Sequence, residues 1–177
     1  MNGAIFYSGR YGSTEQYSEW ISEATGLPSL SIDDPAADPS AHDFLVLGSS
    51  IVFYRATIRS WVKQNSAALA TKPIILFTVS GAPAGSKLDG WVAKSFSAEF
   101  LARADHVALR GRLNHDDVSW WLRLMLKIGA LLNPDREASK EERHGFDHMD
   151  KASIQPLVDL IERYEAGRQQ GAGYSNG

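Results

Sequence analysis

Ala4-Ile5-Phe6-Tyr7-Ser8-Gly9-Arg10-Tyr11-Gly12-Ser13-Thr14-Glu15 is the stretch that decides the fold. Ala4-Ile5-Phe6-Tyr7 is a short, continuous apolar run, as expected of a strand buried on both faces. Ser13-Thr14-Glu15 supplies N-cap chemistry, and Tyr17, Trp20, Ile21 and Ala24 follow at helical spacing until Gly26 and Pro28 stop the helix. Between strand and helix lies a loop of small and hydroxyl residues. At such a junction the unpaired N–H groups of the helix start and the helix dipole favour an anion, and glycine allows close backbone approach. A mere cap needs fewer residues than this loop has, so the loop reads as a phosphate cradle rather than an ordinary turn.

The pattern repeats along the chain. Leu30 and Ile32 mark a second strand, and residues 33–40 read as a loop. Phe44-Leu45-Val46-Leu47 reads as a third strand, ended by Gly48-Ser49-Ser50. A helix is expected over residues 57–69. Pro73-Ile74-Ile75-Leu76-Phe77-Thr78-Val79 is a fourth strand, followed by a small-residue loop over 80–85 and a helix over 88–104. His106-Val107-Ala108-Leu109 is a fifth strand. An apolar helix is expected near 117–132 and an amphipathic one near 151–165. Strands alternating with helices imply an α/β fold with a parallel sheet covered on both faces. Ligands of such sheets lie beyond the carboxyl ends of the strands, where the strand order reverses.

The chain has 177 residues, 44% of them hydrophobic, which suits a single domain over 1–166 with a disordered Gly/Gln-rich tail over 167–177. With 18 Lys and Arg against 21 Asp and Glu there is no basic excess to attract nucleic acid. The absence of cysteine removes disulfides, thiolate metal sites and a cysteine nucleophile. No basic leader precedes the first strand, so the cytoplasm is the expected location.

The loop Ser8-Gly9-Arg10-Tyr11-Gly12-Ser13-Thr14 resembles the phosphate-binding loop of flavodoxins. The longer run from Phe6 to Thr14, the segment Gly48-Ser49-Ser50-Ile51-Val52-Phe53-Tyr54 and the stretch from Leu109-Arg110-Gly111-Arg112-Leu113 to Trp120-Trp121-Leu122-Arg123-Leu124-Met125-Leu126-Lys127 are similar to one branch of that family. That branch contains the menaquinone-dependent protoporphyrinogen IX dehydrogenases. The branch has a Tyr-rich basic stretch after the last strand, where this chain has Asn114-His115-Asp116-Asp117.

The resemblance implies a flavodoxin-like three-layer sandwich, with a five-stranded parallel sheet in the order 2-1-3-4-5 and an extra apolar helix after the last strand. It implies FMN as cofactor. Ser8, Arg10, Tyr11, Gly12, Ser13 and Thr14 would hold the phosphate. Ser49, Ser50, Ile51, Phe53 and Tyr54 would flank the flavin ring, with Phe53 or Tyr54 stacked on it. Thr78, Val79, Ser80 and Gly81 would line its polar edge. The implied activity is dehydrogenation of a small-molecule substrate, protoporphyrinogen IX in haem synthesis, with electrons passed to a quinone. The alternative is a flavodoxin-type carrier that docks on redox proteins, against which the modest net charge of -3 argues.

The helix near 117–132 carries only a thin polar stripe of Ser119, Arg123 and Lys127. Three placements fit it: the core, a subunit contact, or the membrane interface near a quinone, at the inner face of the cell membrane. Gly81-Ala82-Pro83-Ala84-Gly85-Ser86-Lys87 lacks the Gly-Lys-Ser/Thr order of a nucleotide P-loop. His144 and His148 have helical metal spacing, but Gly145 and polar surroundings speak against a metal there. His115, beside Asp116 and Asp117, reads as a solvated loop residue, and the charged residues of 137–143 as an exposed surface.

Overall fold

The computed structural model describes residues 2–113 and 146–172. The expected apolar helix near 117–132 lies outside the described residues. Along the chain run β1 (Gly3–Ser8), α1 (Ser13–Thr25), β2 (Ser29–Ser31), β3 (Phe44–Val52), β4 (Arg55–Ala56), α2 (Arg59–Gln64) and α3 (Ser66–Leu69). They are followed by β5 (Ile74–Ser80), α4 (Ser86–Ala93), α5 (Ala98–Leu101), β6 (Ala104–Arg110), β7 (Arg112–Leu113), β8 (Phe146–Asp147) and α6 (Gln155–Ala172). Short 3₁₀ turns occupy Pro39–Ala41 and Lys151–Ile154.

Five parallel strands form the sheet in the order β2-β1-β3-β5-β6. Counting the parallel strands alone, this is the expected 2-1-3-4-5. The two-residue β4 folds back antiparallel on the end of β3 and adds a sixth member. Side chains alternate between two cores, as the strand pleat requires. Ala4 and Phe6 of β1 join Leu45, Leu47, Leu76, Ile58, Val62, Leu88 and Phe100 beneath α2 to α5. Ile5 joins Val46, Ile75, Phe77, Tyr17, Ile21, Leu157 and Ile161 beneath α1 and α6. The order reverses between β1 and β3, which puts the loops after those strands at the switch point.

Among the expected boundaries that move, three do so for a local reason. β3 does not end at Gly48; it continues to Val52. Gly48 sits opposite Phe77 in the β3–β5 ladder, and a Cβ on it would lie 2.3 Å from Phe77 Cζ. This glycine makes room for a ring and is no turn. Gly3 stands in the same relation to Phe44. The helix expected over 57–69 is broken at Asn65, whose backbone N–H and Nδ2 both bond to the Trp61 carbonyl, 3.0 Å each. The helix expected over 88–104 is broken after Ala93. Ser95 Oγ donates to the Trp91 carbonyl and accepts the Ala56 N–H, and Ser97 caps α5 by accepting the Phe100 N–H. The chain is then free to enter β6 at Ala104.

Candidate functional site

The start of α1 has no side-chain cap. The expected N-cap residues, Ser13 and Thr14, already lie inside the first turn. The N-cap is Gly12, at φ 76°, a left-handed conformation that a side chain would strain. The first intrahelical bond runs from Gln16 N–H to the Gly12 carbonyl at 2.9 Å, so the N–H groups before it have no helical acceptor. Gly9 folds tightly over this start, where a Cβ would meet Thr14 Cβ at 2.8 Å. Residues 9–12 therefore adjoin N–H groups that have no acceptor among the described residues.

The structure brings this loop and the end of β3 together. Thr14, fully buried, places Oγ1 2.7 Å from Ser50 Oγ. Thr57, which the sequence reading passed over, completes the stitch. Its Oγ1 donates to the Ser8 carbonyl at 2.8 Å, and its N–H donates to the Ser50 carbonyl at 3.0 Å. Ser49 is buried, and its Oγ accepts the Ile58 N–H at 3.3 Å. Ile51 pairs with Ala56, and Val52 with Arg55, in a hairpin whose two-residue tip is Phe53-Tyr54.

That tip is strained. Both residues have positive φ, 49° and 64°, in the pattern of a type I′ turn, which favours Asn-Gly. Two aromatic residues there cost on the order of 1 kcal/mol each. Both rings are exposed, Phe53 at 51% and Tyr54 at 65%, and Tyr54 meets Trp91 of α4 at 5.1 Å. An apolar ring pair held outward at such expense in backbone conformation suits a flat ligand better than it suits water.

The third expected segment divides. Thr78 and Val79 turn inward, Thr78 to His106 and Val79 into the core beneath α1. Ser80 stands at the edge, where its hydroxyl donates to the Ala82 carbonyl at 2.8 Å and shapes the loop that begins with Gly81. Arg10 is exposed in the first loop, and Tyr11 beside it is half-buried; burial raises its phenol pKa, against the pull of the Arg10 charge.

The segment after β6 braces the site from the side of α1. Ser13 Oγ accepts the Arg112 N–H at 3.2 Å and donates to the Arg112 carbonyl at 3.4 Å. Tyr17 Oη donates to the Arg110 carbonyl at 2.8 Å and accepts the Asp150 N–H at 3.1 Å. Gly111 fits between Val79 and Ser13, where a Cβ would lie 2.9 Å from Val79 Cγ1. His148, the described half of the His144/His148 pair, donates its backbone N–H to the Gly111 carbonyl. No metal-binding group of His, Cys, Asp or Glu occurs among the described residues. A cavity of about 330 Å³ lined by Val62, Leu69, Phe96, Phe100 and Arg103 includes none of the loops above.

Thr78 Oγ1 lies 2.9 Å from His106 Nε2. Burial pushes the His106 imidazole below its ordinary value of 6.5, against the opposing charge of Asp89. Burial, aided by the Lys72 charge, does the same to His42. The unfolded chain therefore takes up protons on these two residues near pH 6.5 that the folded chain does not. Stability is retained above that pH and falls as the pH drops below it. A lower urea midpoint at pH 5.5 than at pH 7.5 is expected, with a smaller difference in the His106→Gln variant.

A family model described as a flavodoxin domain matches residues 4–135. A search of curated proteins finds none that matches the chain. Solved structures similar to it include the Trp repressor binding protein of Bacillus subtilis, at 14% identity over 84% of this chain and 99% of that one, with a TM-score of 0.47. A flavoprotein in complex with FMN from Lactobacillus acidophilus is 12% identical over 62% of this chain and 91% of its own, with a TM-score of 0.45. A flavodoxin, WrbA-like protein from Agrobacterium tumefaciens is 17% identical over 65% and 85%, with a TM-score of 0.44.

Proposed function

The chain belongs to the flavodoxin domain family, and from that premise we propose that it is an FMN-dependent oxidoreductase acting on an anionic small molecule. The observation that carries the reading is the uncapped start of α1, with its left-handed Gly12 and its Thr14–Ser50 link to β3. N–H groups without a helical acceptor and glycines that admit close approach are the donor set that a phosphate monoester needs, and the buried hydroxyls hold their loop in place. Bound FMN supplies the hydride and electron chemistry. The protein's residues do the rest. The first loop holds the phosphate, the Phe53-Tyr54 tip walls the ring, and the backbone about Ser80 and Gly81 meets its polar edge.

Charge supports an anionic substrate. Residues 9–12, 53–58, 81–88 and 110–112 contain Arg10, Arg55, Lys87, Arg110 and Arg112 and no Asp or Glu. Arg110 Nε is buried with no acceptor among the described residues. Such a rim suits carboxylates better than the acidic docking face of a carrier. A porphyrinogen, with its carboxylate side chains, is the substrate that the sequence resemblance suggests, with a quinone as acceptor. A membrane contact through residues 117–132 belongs to the same proposal. No helix among the described residues is long and apolar enough to cross a membrane.

The test is anaerobic. FMN-loaded protein is mixed with protoporphyrinogen IX and a soluble menaquinone analogue, and porphyrin fluorescence is followed against a flavin-free control. A flavin-dependent rise is expected. No rise with FMN demonstrably bound would overturn the substrate assignment and leave the cofactor standing.

A further inference from the structure

Arg112 was not among the residues expected to hold the cofactor, yet its guanidinium lies at the phosphate loop. Its Nη2 is 3.7 Å from the position a Cβ on Gly12 would take. The side chain is exposed, and it makes no ion pair among the described residues. Its backbone, by contrast, is held at several points. The Ser13 hydroxyl grips both its N–H and its carbonyl, Arg112 pairs with Asp147 in the β7–β8 ladder, and Tyr17 fixes the carbonyl of Arg110 two residues earlier. The base of the side chain is thus anchored to the first turn of the helix whose N–H groups point at the same space. A fixed stem whose forked cation has no ion-pair partner among the described residues is suited to an anion that arrives from outside.

We propose that Arg112 is a cofactor-binding residue that contacts the phosphate of FMN and selects phosphorylated flavin over riboflavin. The inference rests on the FMN reading above and adds to it. Backbone donors and hydroxyls alone neutralise a phosphate dianion only through partial charges. A guanidinium at Gly12 supplies a full positive charge, shared with Arg10 in the same loop. The contribution of an exposed cation falls as salt rises, so flavin affinity becomes salt-dependent in a way tied to this one residue.

The test compares the wild-type chain with Arg112→Gln by quenching of flavin fluorescence, with FMN and with riboflavin, at about 50 mM and about 500 mM salt. The pairing at position 112 is made by the backbone, so the substitution leaves the strand bonds in place, and a thermal melt checks this. The expected result is a Kd for FMN raised roughly 10- to 100-fold at low salt. The gap narrows at high salt, and the Kd for riboflavin stays within about twofold. FMN affinity unchanged in Arg112→Gln would overturn the proposal, as would equal losses for FMN and riboflavin, which mark a purely structural role. A wild-type chain that binds no FMN would overturn the cofactor reading itself, an outcome that the variant comparison by itself does not produce.

Discussion

Thr14→Asp is expected to weaken FMN binding by more than about 100-fold. Thr14 is fully buried in the first turn of α1, with its hydroxyl 2.7 Å from Ser50 Oγ. A carboxylate there places one negative charge beside another. At about 5 Å and an effective dielectric near 20, the repulsion is about 3 kcal/mol per unit charge, and a phosphate carries more than one. The substitution also desolvates the carboxylate, which lowers stability. Thr14→Val is the companion variant. It keeps the shape and removes only the hydroxyl link to Ser50, worth about 1 kcal/mol, so it should stay folded and bind FMN more weakly by a modest factor. Flavin fluorescence titration reads both, and circular dichroism shows which of them are folded. Wild-type affinity in a folded Thr14→Asp protein would mean that the phosphate does not sit at this loop.

Gly48→Ala is expected to destabilise the fold by about 3 kcal/mol without touching the site directly. The new methyl would lie 2.3 Å from Phe77 Cζ and 2.8 Å from Cε1. Phe77 is fully buried in a central strand and packs beneath α1 and α6, so the ring has no free space into which to retreat. Either the ring leaves its rotamer or the two strands part. Phe77→Leu removes the obstructing ring atoms at a cost of about 1–2 kcal/mol. The double variant should therefore be more stable than the sum of the two single losses predicts, a coupling that urea unfolding of all four proteins measures. Simple additivity would show that the ring and the glycine do not oppose each other.

Much of this fold is legible from residue pattern alone. Continuous apolar runs such as Ile74-Ile75-Leu76-Phe77 mark strands buried on both faces, and their alternation with helices fixes a parallel sheet. The first loop stands out because a phosphate would require small residues and hydroxyls in one short run, and the structure places that run at the uncapped start of α1. Gly48 misleads because a glycine that ends a strand and a glycine that admits a ring from the next strand look alike until the register is known. Asn65, Ser95 and Ser97 cut helices by side-chain bonds that periodicity does not detect. Thr57 and Arg112 were missed for a different reason. Each acts on the first loop from far along the chain, Thr57 on Ser8 across 49 residues and Arg112 on Ser13 across 99. Nothing local in the sequence encodes such a partnership.

The hydroxyl of Tyr17 reaches two backbone groups, the carbonyl of Arg110 and the N–H of Asp150, across 93 and 133 residues. Synthesis runs from the amino terminus. The loop at residues 9–12 is therefore among the first parts of the protein to exist; Ser50 and Thr57 stitch it early, but its bracing through Ser13 and Tyr17 waits for the end of the chain. A nascent chain that ends before residue 110 already has β1 with the sequences of its neighbours β2 and β3 and of β5 beyond them. It lacks the groups that the hydroxyls of Tyr17 and Ser13 bond in the finished fold. The start of α1 acquires its final setting only when the carboxyl-terminal segment arrives, so a chain cut before residue 110 is expected to bind FMN more weakly than the full chain in a fluorescence titration.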